Sequence, residues 1–282
     1  MTDRSLAVII PANNEAGYIT PCLEALLAQI TCPPMVVVVS ANACTDGTVT
    51  ETQAQTARFA ALGHTLICID SPEGGKTAAL DRAEAALVEM GQGAAPRVYL
   101  DADVICDTDL LGQVARALAA DAPLYATGTL CVAPAQSRFT RLYARFWQSL
   151  PFVKGGAVGA GFFAVNASGR ARWGGFPRII SDDTFVRLNF APHERIEVPA
   201  RYHWPMIEGF AALTRVRRRQ DAGVAELAAL YPELMGNEAK APLTRAHLLR
   251  LAARMPFGFA AYMAVHLAVR LKPAGKDWSR GR

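Results

Sequence analysis

Four short apolar runs, each followed by polar, turn-forming residues, constrain the fold of this 282-residue chain more than any other feature. They lie at residues 6–10, 35–39, 65–70 and 98–104. Between them, segments 18–30 and 77–90 carry apolar or alanine residues at helical spacing. This alternation predicts a Rossmann-like, open, mostly parallel α/β sheet with helices on both faces, in which ligands bind beyond the carboxyl ends of the strands.

Two carboxylates one residue apart, Asp101 and Asp103, end the fourth run. At an extended strand end they are predicted to point to the same side, while Ala102 faces away. Two neighbouring anions repel, so a fold that keeps them usually supplies a cation. Carboxylate oxygens favour Mg²⁺ or Mn²⁺, with phosphate and water completing the shell. The alternative is a solvated turn after a strand.

The first three runs also end in polar residues, so residues 11–15 and 42–46 and Lys76 are expected to share one crevice with Asp101. Lys76 follows two glycines at a helix start, where backbone N–H groups and a cation suit a phosphate. For Glu15 and Asp46 the alternative is capping of a helix, and for Lys76 it is an ordinary surface position.

Five segments in order make the sequence resemble family-2 glycosyltransferases with the A-type nucleotide-sugar fold, over roughly the first two-thirds of the chain. They are residues 8–15, 42–48, 75–80, 100–103 and 181–187. The resemblance implies transfer of a sugar from a nucleotide-diphosphate sugar to an acceptor hydroxyl, with inversion and with Mg²⁺ or Mn²⁺ as cofactor.

The resemblance also implies roles for single residues. Asp101 and Asp103 would hold the metal with the diphosphate. The residues implied to bind the nucleotide-sugar are Pro11, Ala12, Asn14, Glu15, Asn42, Asp46, Lys76 and Asp101. The second loop departs from the family pattern, because Ala41 and Asn42 stand where aspartates are frequent. The nucleobase and the donor sugar therefore stay open.

Asp182 and Asp183 precede an apolar helical pattern and stand where the family more often has a Glu-Asp pair that supplies the general base. A helix N-terminus lowers a carboxylate pKa and a neighbouring aspartate raises it, so one of the two is expected to act as a base near neutral pH. We expect Asp183 to be this base, with Asp182 second. The alternative is an N-cap pair without a catalytic role.

The last part of the chain is basic: residues 201–282 contain 14 Lys and Arg against 6 Asp and Glu. Its densest cluster contains Arg218 and resembles an arginine-rich segment that lies near the diphosphate in the family. A guanidinium pairs well with phosphate oxygens, although a solvated basic face is the alternative. His203 is a candidate nitrogen ligand for the metal, and its alternative is a structural histidine.

Two segments combine basic and apolar residues, 138–147 and 245–272. They are candidates for peripheral contact with a membrane, and the acceptor is then a candidate lipid or lipid-linked molecule. Residues 255–271 are too short and too interrupted to predict a transmembrane helix. For both segments the alternative is packing within the protein itself.

Length and hydrophobic composition predict a catalytic domain over residues 1–240 and a helical extension over 241–282. Within the domain, a nucleotide-binding part is expected over about 1–110 and an acceptor part over about 111–240. Six cysteines without a Cys-x-x-Cys pair indicate reduced thiols, and no basic-then-apolar leader opens the sequence. We therefore expect a cytoplasmic location, with peripheral contact at the inner face of the membrane, and no nucleic-acid partner.

Two other functions remain as alternatives. A nucleotidyltransferase on a related sheet would need a glycine-rich, basic loop after the first strand, and residues 11–18 contain no Lys or Arg. A non-catalytic protein that binds sugar-nucleotides or membranes is disfavoured by the acidic pairs at both the metal and the base positions.

Overall fold

An eight-stranded sheet with the order β3-β2-β1-β4-β7-β6-β8-β5 forms the centre of the molecule. The computed structural model describes residues 5–154 and 157–271. The strands are β1 (Leu6–Ala12), β2 (Met35–Asn42), β3 (Thr65–Ser71), β4 (Arg97–Leu100), β5 (Ile105–Cys106), β6 (Tyr125–Val132), β7 (Phe162–Val165) and β8 (Arg195–Trp204). Only β7 and β5 run antiparallel to their neighbours, so the predicted open, mostly parallel α/β sheet is confirmed.

Helices cover both faces of this sheet. They are α1 (Ile19–Leu27), α2 (Thr48–Ala54), α3 (Thr56–Ala61), α4 (Lys76–Glu89), α5 (Leu110–Ala117), α6 (Arg138–Trp147), α7 (Ala167–Arg170), α8 (Asp182–Leu188), α9 (Phe210–Leu230), α10 (Arg245–Arg254) and α11 (Pro256–Leu271), with 3₁₀ turns at Pro192–Glu194 and Pro232–Asn237. No helix in the described ranges is long and apolar enough to cross a membrane.

Alternating side chains of β1 divide the core between the two faces. Val8 and its alternate neighbours pack with α1 and α5, whereas Ile9 packs on the opposite face with α4 and α8. All of these positions are buried, which explains why the first strands are almost continuously apolar. The ladder of β1 and β2 continues to the pair Ala12↔Ala41, so both strands are longer than the sequence predicts.

The Asp101–Asp103 segment differs from its predicted geometry. Strand β4 ends at Leu100, and the N–H of Val104 donates a 3.1 Å hydrogen bond to the carbonyl of Asp101. The expectation of an extended strand end was therefore wrong. Aspartate favours tight turns, and this turn buries Ala102 while both carboxylates stay half-exposed.

Helix α6 packs on its own protein through its apolar side. Phe146 is fully buried, with its ring 5.7 Å from Phe259 of α11, and Tyr143 stacks on Tyr262. The arginines of α6 lie on its exposed face. The alternative of internal packing thus holds for the apolar side of this segment, which brings α6 and α11 together as one layer.

The backbone at Gly161 leads to a prediction about stability. Gly161 has φ +72°, and its carbonyl accepts a 2.9 Å hydrogen bond from the N–H of Asp101. An added Cβ would lie 2.9 Å from Cδ1 of Trp204. We expect Gly161→Ala to lower the free energy of unfolding by about 2 kcal/mol in urea titrations, because strain and overpacking add.

Gly174→Ala provides the matched control, since no atom lies within 4 Å of its Cβ position. Its free energy of unfolding should change by less than about 0.5 kcal/mol. Equal unfolding midpoints for both variants would show that the backbone at Gly161 relaxes without cost.

Candidate active site

A lysine held between two carboxylates joins the separate segments of the site. The Nζ atom of Lys76 lies 3.0 Å from Oδ1 of Asp101 and 3.2 Å from Oδ2 of Asp182. Lys76 begins α4, Asp101 follows β4, and Asp182 begins α8. The structure therefore brings Lys76 and Asp101, which the sequence places in one crevice, together with Asp182. Pro11, Gly161 and Asp183 line the same crevice.

Burial and charge act against each other in this cluster. Burial raises the pKa of Asp182 to about 6; Lys76 opposes the shift, whereas Asp183 and Asp101 add to it. Burial alone would lower the pKa of Lys76, but the three carboxylates raise it well above its usual value. Lys76 is thus a fixed cation, whereas Asp182 takes up a proton at a higher pH than an ordinary aspartate.

Asp183 is more accessible than Asp182. It is half-buried, and its Oδ1 accepts a 2.6 Å hydrogen bond from the N–H of Thr184, which leaves Oδ2 for another partner. Asp182 has a side chain that is only 6% exposed and faces Lys76. Of the two, Asp183 is therefore better placed to reach a ligand that enters from solvent.

Hydrogen bonds connect the two loops predicted to hold the nucleotide. One oxygen of Asp46 accepts from the N–H of Thr48 at 3.0 Å, and the other accepts from the N–H of Ala16 at 3.1 Å. Burial raises the pKa of Asp46, but these bonds outweigh that effect and lower it. Capping is thus an observed role of Asp46, whereas its contact with nucleotide stays a prediction.

Asn42 has its side chain inside the protein. It donates to the carbonyl of Ala12 at 2.7 Å and accepts from the N–H of Gly75 at 3.1 Å, so it links all three loops. Asn42 is 4% exposed, which leaves little of its surface for a ligand. Asn14 adopts φ +56° and accepts from the N–H of Thr45, and the N–H of Glu15 donates to Thr48.

A cleft of about 660 Å³ opens beside the crevice. Asp101 and Asp103 lie on its wall, so both carboxylates face one cavity even though they are in a turn. Five other lining residues belong to segments that the sequence singled out: Tyr143 and Trp147 to segment 138–147, and Arg217, Arg219 and Gln220 to the basic cluster around Arg218. Others were not recognised from the sequence: Tyr18, Trp204, Met206, Leu213 and Val216. The cleft thus combines aromatic, apolar and cationic lining.

The arginine cluster on α9 divides between two faces of the helix. Arg217 and Arg219 line the cleft, whereas Arg218 donates a hydrogen bond to the carbonyl of Ala268 near the end of α11. The diphosphate role of Arg218 stays a prediction. Leu213, Val216 and Arg217 are spaced so that they share one face of a helix, and this spacing in the sequence could have predicted the side of α9 that lines the cleft.

The two carboxylates of the turn fit a divalent cation. Asp101 and Asp103 supply hard oxygen donors on the cleft wall, and Mg²⁺ or Mn²⁺ would complete its shell with phosphate and water. Residues 5–154 and 157–271 contain no group of three His, Cys, Asp or Glu suited to a metal. Nε2 of His203 lies 2.9 Å from Oδ1 of Asp107, so its role as a ligand stays a prediction.

An open α/β sheet with an acidic turn and an acidic helix start beside one crevice is the arrangement expected of a nucleotide-sugar-dependent glycosyltransferase. The family model described as "Glycosyl transferase family 2" matches residues 7–173, and the chain belongs to this family. Among curated proteins, none matches the sequence significantly.

Solved glycosyltransferases share the fold at low sequence identity. The mannosyltransferase PcManGT of Pyrobaculum calidifontis, in complex with GDP-Man and Mn²⁺, is 21% identical with a TM-score of 0.51, and the match covers 96% of this chain and 76% of that one. Glucosyl-3-phosphoglycerate synthase of Mycobacterium tuberculosis, with Mn²⁺, UDP-glucose and glycerol 3-phosphate, is 16% identical with a TM-score of 0.50, covering 80% and 79%.

The buried Asp182 leads to a pH-dependent prediction. Because its folded pKa lies above the unfolded value, its ionisation disfavours the folded state as pH rises through about 6. We expect Asp182→Asn to raise the free energy of unfolding by on the order of 2 kcal/mol above pH 7, with no difference below pH about 4. Thermal unfolding from pH 4 to 8 measures this.

Asp70→Asn serves as the control, because Asp70 is exposed and should show no such pH-dependent difference. If Asp182→Asn is instead less stable than the wild type at pH 7, the ion pair with Lys76 contributes more than burial costs.

Proposed function

We propose that this protein transfers a sugar from a nucleotide-diphosphate sugar, held with Mg²⁺ or Mn²⁺ at Asp101 and Asp103, to an acceptor hydroxyl that Asp183 deprotonates. The observation that carries the proposal is the bridge from Asp101 through Lys76 to Asp182, since it fixes the metal-binding turn beside the acidic start of α8. The residues that hold the sugar donor and the residue that acts as the base would then lie in one crevice.

Charge explains why a cation belongs in this crevice. The carboxylates of Asp101, Asp103, Asp182 and Asp183 outnumber the ammonium of Lys76. A diphosphate would be repelled by this excess. A divalent ion reverses the local charge and stabilises the departing diphosphate as negative charge develops on it. Arg217 and Arg219, which line the same cleft as Asp101 and Asp103, would add cations.

The protein's own residues would then handle the proton. Asp183 accepts the proton of the acceptor hydroxyl, and the acceptor oxygen forms its bond to the anomeric carbon. The bond from that carbon to the diphosphate oxygen breaks, which releases a nucleoside diphosphate. Attack on the face opposite the leaving group inverts the anomeric centre. Asp182 holds Lys76 in place and, being nearly buried, stays away from the acceptor.

The cleft provides the acceptor side of the proposal. Trp147 and Trp204, with ring centroids 6.0 Å apart and ring planes inclined at 33°, supply aromatic surface on which a sugar ring can stack. Met206 and Leu213 continue this wall with apolar surface. A hydroxyl on an amphipathic acceptor, such as a lipid-linked one, matches this combination.

The first functional prediction concerns the metal. Asp103→Ala should abolish the Mn²⁺-dependent part of nucleoside diphosphate binding, because one of two carboxylate ligands is lost. Calorimetry with UDP and GDP, with and without Mn²⁺, measures it. Asp70→Ala, at an exposed aspartate, should bind normally. His203→Ala in the same assay tests the predicted nitrogen ligand. Unchanged Mn²⁺-dependent affinity in Asp103→Ala would contradict the assignment.

The second functional prediction concerns the base. Asp183→Asn keeps the size of the side chain but removes its ability to accept a proton, so turnover should fall by about 10² or more. The release of nucleoside diphosphate is measured with the nucleotide-sugar that raises the melting temperature most. Donor affinity should stay within about threefold, because the metal turn is intact. Near-normal turnover would move the base elsewhere, with Asp182 tested next.

A further inference from the structure

The outward side of α11 is apolar, which is unusual for a helix on a protein surface. Its exposed positions recur every three or four residues and therefore form one face, called here the outer face: Phe257, Ala260, Ala264, Leu267 and Leu271. Phe257 is 75% exposed and Leu271 is 82% exposed. Surface helices normally carry polar residues on this side, so within the described ranges the outer face lacks the partner that its composition calls for.

The inner side of the same helix is also apolar. Ala261 and Val265 are buried in a cluster with Tyr143 of α6 and Leu213 of α9. Helix α11 is therefore firmly seated by its inner side, and the outer face is presented to the surroundings. A helix that is apolar on two opposite sides is expected to have apolar surroundings on both of them.

Cations surround the outer face. The exposed side of α10, the helix immediately before α11, includes Arg245, Arg250 and Arg254, and Arg270 lies at the other end of α11. Residues 239–271 contain five Lys and Arg and no Asp or Glu. This arrangement matches an anionic surface.

Further basic residues lie near the start of α11. Arg145 and Lys154 line a groove of about 500 Å³ together with Met255, the residue that joins α10 to α11. Arg145 belongs to the exposed, arginine-bearing side of α6. Arg145 and Lys154 thus lie close to the start of α11, although Glu197 lines the same groove.

We propose that the outer face of α11 inserts into the interfacial region of an anionic lipid bilayer, with the arginines of α10 and α6 against the headgroups. Apolar burial and attraction to anionic lipid act together in such helices. A second copy of the chain fits less well, because a two-fold contact would bring the arginine rims together. The 16 residues of α11 are too few to span the bilayer.

The bilayer would then lie about one helix diameter, roughly 10 Å, from the acceptor side of the cleft. Tyr143 and Leu213 contact the inner side of α11 within one apolar cluster, and both also line the cleft. Docking of α11 would therefore bring the cleft close to hydroxyls carried by lipids. The docking itself does not depend on the proposed sugar transfer.

Vesicle binding of the full chain tests the proposal without any catalytic readout. The probes are vesicles of phosphatidylcholine with about 30% phosphatidylglycerol and vesicles of phosphatidylcholine alone. We expect binding to the anionic vesicles at about 0.05 M salt and its loss at about 0.5 M. Phe257→Gln with Leu267→Gln should weaken binding at least tenfold, since both side chains leave water on insertion.

Matched variants distinguish the effect of a substitution on the outer face from the effect of the same kind of substitution elsewhere on the surface. Leu62→Gln with Val88→Gln changes two residues of similar exposure, 58% and 61%, far from α11 in sequence, and should bind like the wild type. Arg250→Gln with Arg254→Gln should lower affinity about fivefold per arginine. Its control is Arg58→Gln with Arg116→Gln, two exposed arginines outside this surface, which should have little effect.

Three results would overturn the proposal. They are absence of vesicle binding at any salt, equal loss in the outer-face variant and its control, and a solution dimer that Phe257→Gln with Leu267→Gln converts to monomer. Light scattering provides the last measurement. Melting temperatures of all variants should match the wild type within a few degrees, because the substituted side chains are exposed.

Discussion

The ammonium of Lys76 is the interaction on which the rest of the site depends. It pairs with Asp101 and Asp182, which come from the end of β4 and the start of α8. Without this cation, the carboxylates would repel one another where three segments must meet. The pairing offsets the burial of Asp182 only in part, because the pKa of Asp182 still lies above its usual value. Stability is thus reduced locally at a crevice that carries negative charge, which the proposed metal ion would offset.

The sheet was predictable because its signals are local. Buried parallel strands require continuous apolar runs, and the segment that became α4 carries its own helical spacing. The meeting of Lys76 with Asp101 followed from the rule that ligands bind beyond strand carboxyl ends, whereas Asp182 and Asp183 were assigned to the site through the family resemblance. The turn at Asp101 was missed because a strand pattern alone does not show where its ladder ends. The lining of the cleft was missed because Tyr18 and Trp204 meet only through tertiary packing.

Two residues show how a motif can combine structural and functional roles. Asn42 occupies a position where the family often has aspartate, and its amide both donates to Ala12 and accepts from Gly75. A carboxylate there would offer no donor for the Ala12 carbonyl. Arg218 was selected from a run of arginines that looks uniform in sequence. Helix geometry turns it towards Ala268, where it satisfies a carbonyl of the last turn of α11. The same run therefore secures the C-terminal helix and, through Arg217, supplies charge to the cleft.

The arrangement of helices relates the two sides of the proposed reaction. The loops after β1 and β2 and the start of α4 form the crevice proposed for a charged, water-soluble donor. The cleft, by contrast, is walled by α6 and α9, whose apolar sides rest on α11. An acceptor with an apolar part would approach most easily from the side of α11, because the outer face and its arginines can hold that side at a bilayer. Donor and acceptor would then enter by different routes, and they would meet at the turn that carries Asp101 and Asp103.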